Sequence, residues 1–284
     1  MASFTLWDEE SEKRRLSVAL CGMVLVTIPL SHYCEKARWA LDRTRLPYRE
    51  EAHAPLFSRF ATKRVDGGTV PLLLDGDLHL IDSTSILVHA DSVAGDEVLY
   101  PRDPALKSEV DALEETFDTS LGIHVRRWAY AQLLQDTAML RSLWSSGVPR
   151  WEGRAIRAIA PLARSLVRRA YDISAESAQR SLNRVRDIFA DIDGRLMDGR
   201  RFLVGERFTA ADLTFAALAA PMLLPDGCRA VQPVLNHTPI AMQEEISRLR
   251  ETEAGKFVLR LFAQERTTPA GVQASPLRAN RELR

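Results

Sequence analysis

The sequence predicts a small α/β sandwich followed by an all-α domain. Three observations carry this expectation. Residues up to about 96 alternate β-branched apolar runs with amphipathic stretches in the order β-α-β-α-β-β-α. A proline-rich connector, Leu99-Tyr-Pro-Arg-Asp-Pro104, comes next. Beyond it strand signals vanish, and helical patterns cover roughly 105–138, 152–171, 175–199, 209–220 and 240–264. The expected organisation is an N-terminal extension (1–20), an α/β domain (21–97), a linker (98–106), a helical domain (107–264) and a loosely ordered polar tail (265–284).

Met23-Val-Leu-Val-Thr-Ile28 is apolar and β-branched, as a strand covered on both faces must be. Ser31 then offers an N-cap. From His32 to about Thr44 the period is helical, with Ala37, Trp39, Ala40 and Leu41 inward and Glu35, Lys36, Arg38 and Asp42 on the wet face. Pro47–Glu51 reads as a short edge-like strand, and 55–64 as an irregular helix. Val70–Asp75 and Leu78–Ile81 flank Gly76-Asp77, which predicts a hairpin. Asp82-Ser83-Thr84 caps a helix to about Ala94. The strand–helix–strand start implies a right-handed crossover and a parallel pair. In the second half, Phe208-Thr209-Ala-Ala-Asp212-Leu213 combines a capping box with a hydrophobic staple and opens an Ala-rich core helix that Pro221 should end or kink.

Composition excludes several classes. Apolar residues make up 46% and charged ones 27% of 284 residues, which excludes global disorder. Basic and acidic residues number 38 each, so the electrostatic footprint of a nucleic-acid binder is missing. Cys21, Cys34 and Cys228 are too few and too odd in number for a disulfide framework, and fit a reducing cytoplasmic location. No histidine spacing suggests a metal, and none is expected. The apolar run Leu16–Leu30 is too short for a membrane span; its acidic lead-in and the lack of an A-x-A site favour a buried strand over a signal peptide. In 152–171, Arg154, Arg157, Arg164 and Arg168 fall on one helical side and Ile156, Ile159, Leu162, Leu166 and Val167 on the other, with Pro161 as a kink. A solvated face on a core-packed helix outweighs a membrane-surface reading here, and membrane association is not expected.

The chemistry centres on Ser31-His32-Tyr33-Cys34 at a helix N-terminus. Unpaired N–H groups and the helix dipole favour an anion there, including a thiolate of the protein or of a ligand. Ser31 alone could be an ordinary N-cap. Cys34 sits where a resolving cysteine would follow an attacking one that is serine here.

Together with Thr69-Val70-Pro71-Leu72, Asp82-Ser83-Thr84-Ser85-Ile86, Leu99-Tyr100-Pro101 and Phe208-Thr-Ala-Ala-Asp212, the segment Ser31–Leu41 resembles the cytosolic glutathione transferase family, over about residues 22–264. The resemblance implies a thioredoxin-like first domain, an all-helical second domain, and glutathione as co-substrate in the cleft between them. It implies that Val70 pairs its backbone with the cysteinyl part of glutathione across a cis Val70–Pro71 bond. Asp82 and Ser83 would hold the γ-glutamyl end, and Lys63 or Arg59 the glycyl carboxylate, although 53–69 matches the family pattern poorly. Ser31 would activate the thiol. Lowering a thiol pKa from about 8.5 by two units needs roughly 2.7 kcal/mol. A hydroxyl–thiolate hydrogen bond supplies about 1.5–3 kcal/mol and the helix terminus about 0.3–1 more. Phe117, His124 and Trp128 would line the pocket for a small hydrophobic electrophile, although aromatics at helical spacing more often belong to the core. His32 would face solvent or else act on the thiolate electrostatically, and a homodimer is implied. The alternatives are a non-catalytic module on the same fold and a thiol-transferase acting through Cys34.

Overall fold

A computed structural model describes residues 22–65, 67–95 and 97–266. The expectations for the N-terminal extension and for the tail beyond 266 lie outside the described residues. The first domain runs β1 (Val24–Thr27), α1 (His32–Arg43), β2 (Arg49–Ala52), α2 (Ser58–Thr62), a 3₁₀ turn (Lys63–Val65), β3 (Leu72–Asp75), β4 (Leu78–Leu80) and α3 (Ser83–Ala94). The sheet order is β2-β1-β3-β4. β1 pairs parallel with β2 and antiparallel with β3, and β3 pairs antiparallel with β4. This is the thioredoxin-like arrangement. The helical domain opens with α4 (Pro104–Thr116), a π-turn (Phe117–Leu121) and α5 (Gly122–Leu133). It continues through α6 (Thr137–Ser145), α7 (Arg150–Ala158), α8 (Ala160–Ala170), α9 (Ala175–Leu196), α10 (Ala210–Leu223), a 3₁₀ turn (Leu235–His237), α11 (Ile240–Glu251) and α12 (Glu253–Gln264). No helix among the described residues is long and apolar enough to cross a membrane.

Register gathers the candidate site at one end of the sheet. Val26 faces Leu72 across β1–β3, and Leu73 faces Leu80 across β3–β4. The loop leading to α1, the turn before β3 and the residues after β4 therefore emerge side by side.

α10 is the core helix. Thirteen of its 14 residues are buried, Pro221 being the exception. Its N-terminus is held by Asp212, which accepts the Thr209 N–H at 2.7 Å and the Leu203 N–H at 2.8 Å. Pro221 does not end the helix as expected. It runs to Leu223 and stops at Leu224 in the left-handed region (φ 43°).

α1 lies between the sheet and α10, and here the pattern expectation needs correction. Glu35, Lys36, Arg38 and Asp42 are not wet; all four are buried. They survive burial because each is paired. Lys36 Nζ meets Glu114 at 2.8 Å, Asp118 at 2.6 Å and Thr84 Oγ1 at 2.9 Å. Tyr100 donates to the second Glu114 oxygen at 2.7 Å. This cluster joins α1, α3, the linker, α4 and the π-turn. On the other flank Arg38 pairs with Glu50 at 2.7 Å, and Arg266 reaches Glu35 and Asp42 at 2.8 Å each. The first two tail residues are thus not loose: Glu265 meets Arg43 at 3.1 Å and Arg266 is buried. A partner 82 positions away in sequence leaves no local signal, so a helical-period reading assigns such charges to solvent.

The 152–171 stretch also departs from its expectation. Ile156 and Val167 are core residues, but Ile159, Leu162 and Leu166 are exposed. The bend falls at Ile159, and Pro161 sits in the first turn of α8.

Candidate functional site

Ser31 caps α1. Its extended backbone (φ −77°, ψ 123°) turns the chain into the helix, and its Oγ accepts the Cys34 N–H at 3.3 Å. With Oγ used as an acceptor, the hydroxyl has one proton to donate, and the Cys34 sulfur lies within its reach. The approach to Ser31 is fixed from both domains. Ser31 N–H donates to the Ile28 carbonyl at 3.0 Å, and Val231 N–H donates to the Pro29 carbonyl at 2.9 Å.

The Val70–Pro71 peptide is cis, as the family resemblance required. Pro71 is buried and immediately precedes β3, beside the end of β1. Asp82 caps α3, accepting the Ser85 N–H at 2.9 Å, with its carboxylate also bonded to the Ser85 hydroxyl. Ser83, the first residue of that helix, is buried. Two helix N-termini therefore open beside the cis-proline, each presenting backbone N–H groups suited to anionic oxygen or sulfur. Arg59 on α2 and Lys63 on the following turn are exposed.

Cys34 lies in the first turn of α1 with no exposed surface, and burial pushes its thiol pKa up despite the nearby Arg38 guanidinium. A thiol kept protonated and covered is a poor nucleophile.

His32 corrects its expectation: it is buried, not solvent-facing. Its Nε2 lies 3.0 Å from the Gly122 carbonyl, which can only accept, so Nε2 carries the proton. Burial, aided by the Arg126 charge, lowers its pKa to about 3, and the ring is neutral at pH 7. The unfolded chain takes up this proton near pH 6.5 while the folded one does not. His32 therefore makes stability fall as pH drops from 6.5 toward 3. A His32→Gln variant should show a flatter loss of unfolding free energy across that window in denaturant titrations at successive pH values.

Tyr33 donates its hydroxyl to the Asp118 carbonyl at 2.8 Å. The π-turn sets this contact and the His32 contact, one at each end; such turns recur at functional sites. Gly122 is the residue sequence reasoning missed. A Cβ there would lie 2.3 Å from the Tyr33 hydroxyl oxygen. A glycine inside a helical run usually signals such close packing. Gly122→Ala should displace Tyr33 and cost about 1–3 kcal/mol in denaturant unfolding.

Of the proposed electrophile-pocket residues, Phe117 and Trp128 are corrected. Both are core residues, Phe117 packing on Phe215 at 5.0 Å between ring centroids. His124 points at α9, with Nδ1 3.0 Å from Ser181 Oγ. The residue that does stand over the α1 head is Arg126, half-buried, with its guanidinium 5.9 Å from the Tyr33 ring and 4.2 Å from the Tyr171 ring.

The fold defines a two-domain protein whose thioredoxin-like half packs against a helical half. The Glutathione S-transferase, N-terminal domain, family matches residues 25–97, and the Glutathione S-transferase, C-terminal domain, family matches 156–224. The chain belongs to the glutathione transferase family. Solved structures of similar fold include glutathione transferase F1 of poplar (15% identity, TM-score 0.51, 85% of this chain and 98% of that one). Another is the β-etherase LigF of Sphingobium sp. strain SYK-6 (18%, TM-score 0.54, 84% and 98%). A third is FzlA of C. crescentus (20%, TM-score 0.52, 84% and 92%). At these identities the likeness is one of fold. No curated protein sequence matches.

Proposed function

We propose that this protein is a glutathione-dependent transferase in which Ser31 stabilises the glutathione thiolate for attack on a small hydrophobic electrophile. The observation that carries the reading is the Ser31 hydroxyl at the α1 N-terminus. Its oxygen accepts the Cys34 N–H at 3.3 Å, and its one proton, within reach of the buried Cys34 sulfur, would turn to a bound thiolate. Glutathione would run across the edge where α1, cis-Pro71 and α3 meet. Val70 would pair with its cysteinyl backbone, Ser83 and Asp82 would take the γ-glutamyl end, and Lys63 or Arg59 the glycyl carboxylate. No general base is required: a hydroxyl bond and a helix terminus together match the roughly 2.7 kcal/mol that two pKa units need. His32, neutral and turned to Gly122, has no proton-transfer role. The electrophile would lie beyond the sulfur, against Tyr33 and Arg126. A homodimer and a cytoplasmic location follow the family.

The thiol-transferase alternative needs an accessible, acidic Cys34, and burial opposes both. A pure scaffold has no need for Ser31, Val70, Pro71, Asp82 and Ser83 together. Conjugation of glutathione to chlorodinitrobenzene tests all three. Cys34→Ala should keep at least about half of the wild-type kcat/KM, whereas Ser31→Ala should lose most of it. The reverse pattern would favour the thiol-transferase, and no turnover by the wild type with any electrophile would favour the module.

A further inference from the structure

We propose that the outer face of α7 and α8 is a peripheral docking surface for an anionic lipid bilayer. The two helices are nearly one. Ile159 N–H donates to the Ala155 carbonyl at 3.0 Å and Ala163 N–H to the Ile159 carbonyl at 2.9 Å, so the ladder continues through the bend. The inner side is a narrow strip of Glu152, Gly153, Ile156, Ala160, Ala163 and Val167, all buried. Advancing roughly 100° per residue, the remaining positions form two ridges that both face outward. One is apolar: Trp151 is 62% exposed, Ile159 38%, Leu162 61% and Leu166 45%. The other, beside it, carries Arg150, Arg154, Arg157, Arg164 and Arg168, with Arg169 between the two. None of these arginines forms an ion pair among the described residues.

The charge on this face is of one sign. Between Gly147 and Tyr171 the only acidic residue is Glu152, and it is turned inward. Its oxygens take the Ala54 N–H at 2.8 Å and His53 Nδ1 at 2.7 Å, which fastens α7 to the segment after β2. Trp151 packs on Phe57 (5.5 Å between centroids), and Phe57 on Phe60 (6.3 Å), itself 68% exposed. Thus the apolar ridge extends onto the first domain. In a chain of zero net charge, six arginines alongside five large exposed apolar side chains form a concentrated patch.

The combination selects the partner. A soluble polyanion engages the arginines but has no use for a ridge of Trp and Leu. A second copy docked about a two-fold through the arginine ridge would set arginine against arginine, and one docked through the apolar ridge would leave the arginines without a counter-charge. An anionic bilayer satisfies both ridges: Leu162 and Leu166 enter the acyl boundary, Trp151 sits at headgroup depth, and the arginines meet lipid phosphates.

The test uses the whole protein and vesicles of phosphatidylcholine with and without about 30% phosphatidylglycerol, read by co-sedimentation and tryptophan emission. Binding is expected with the anionic vesicles only, with a blue shift, and should weaken as salt rises. Arg154→Ala/Arg168→Ala should weaken partitioning about 30-fold, from about fivefold per arginine. Leu162→Ser/Leu166→Ser should weaken it about tenfold or more. Both pairs are largely surface positions, so thermal unfolding should be unchanged in each. Absence of binding to anionic vesicles would overturn the proposal. So would wild-type binding by both double variants, retention on a soluble polyanion without vesicle binding, or self-association abolished by Leu162→Ser/Leu166→Ser without vesicle binding.

Discussion

Replacing Ser31 by alanine is expected to lower kcat/KM for glutathione conjugation roughly ten- to a hundredfold at pH 7, corresponding to about 1.5–3 kcal/mol for a hydrogen bond to a charged partner. The loss should shrink as pH approaches the free thiol pKa of about 8.5, where ionisation no longer needs help. Ser31 also caps α1, and losing the bond to Cys34 N–H should cost about 1 kcal/mol of stability. Ser31→Gly separates the two roles. Glycine is a tolerated N-cap, so this variant should unfold within a few tenths of a kcal/mol of wild type yet be as inactive as Ser31→Ala. Steady-state kinetics over pH with parallel denaturant curves make the comparison. Activity retained by either variant would remove Ser31 from the mechanism.

The largest stability effect is expected for Lys36→Met. The side chain is fully buried and its ammonium holds Glu114, Asp118 and Thr84 together. Methionine fills most of the volume but leaves two covered carboxylates without their cation. Breaking a buried pair from one side costs about 3–5 kcal/mol. At about 2–4 °C per kcal/mol for a chain of this size, thermal unfolding should begin roughly 10 °C lower. Removing the carboxylates as well, in Lys36→Met/Glu114→Gln/Asp118→Asn, should recover part of the loss, because the penalty lies in the unpaired charge. The cluster ties α1 to α4 and the π-turn, so the single variant should also loosen the head of α1 and reduce activity. An unfolding curve for Lys36→Met that overlays wild type would contradict this account of the domain contact.

Much of the fold was legible from local pattern. Alternation and punctuation between Val24 and Ala94 carried the order of elements along the chain, and the Thr209–Asp212 box marked the start of the core helix. The cis state of Val70–Pro71 rested on family resemblance, since the dipeptide itself prefers trans. What pattern could not carry was long-range pairing. Lys36, Arg38, Glu35 and Asp42 have helical spacing that ordinarily marks a wet face, and only partners brought by the linker, α4, β2 and residue 266 make their burial tolerable. The same limit hid His32, whose burial depends on a carbonyl 90 positions away at Gly122. Phe117 and Trp128 failed as pocket residues for the opposite reason: large aromatics at helical spacing go to the core unless something excludes them. The exposed Leu162 and Leu166 show that a clean apolar stripe does not guarantee a core to receive it.

The most direct measurement of the Ser31 role is the ultraviolet absorbance of the thiolate of bound glutathione, titrated with pH in wild type and in Ser31→Gly. A bound thiol ionising near pH 6.5 in wild type, about two units below the free value, and back near 8.5 in Ser31→Gly is the expected result. A wild-type bound thiol that ionises at the free value, or a lowered value that survives loss of the hydroxyl, would contradict it.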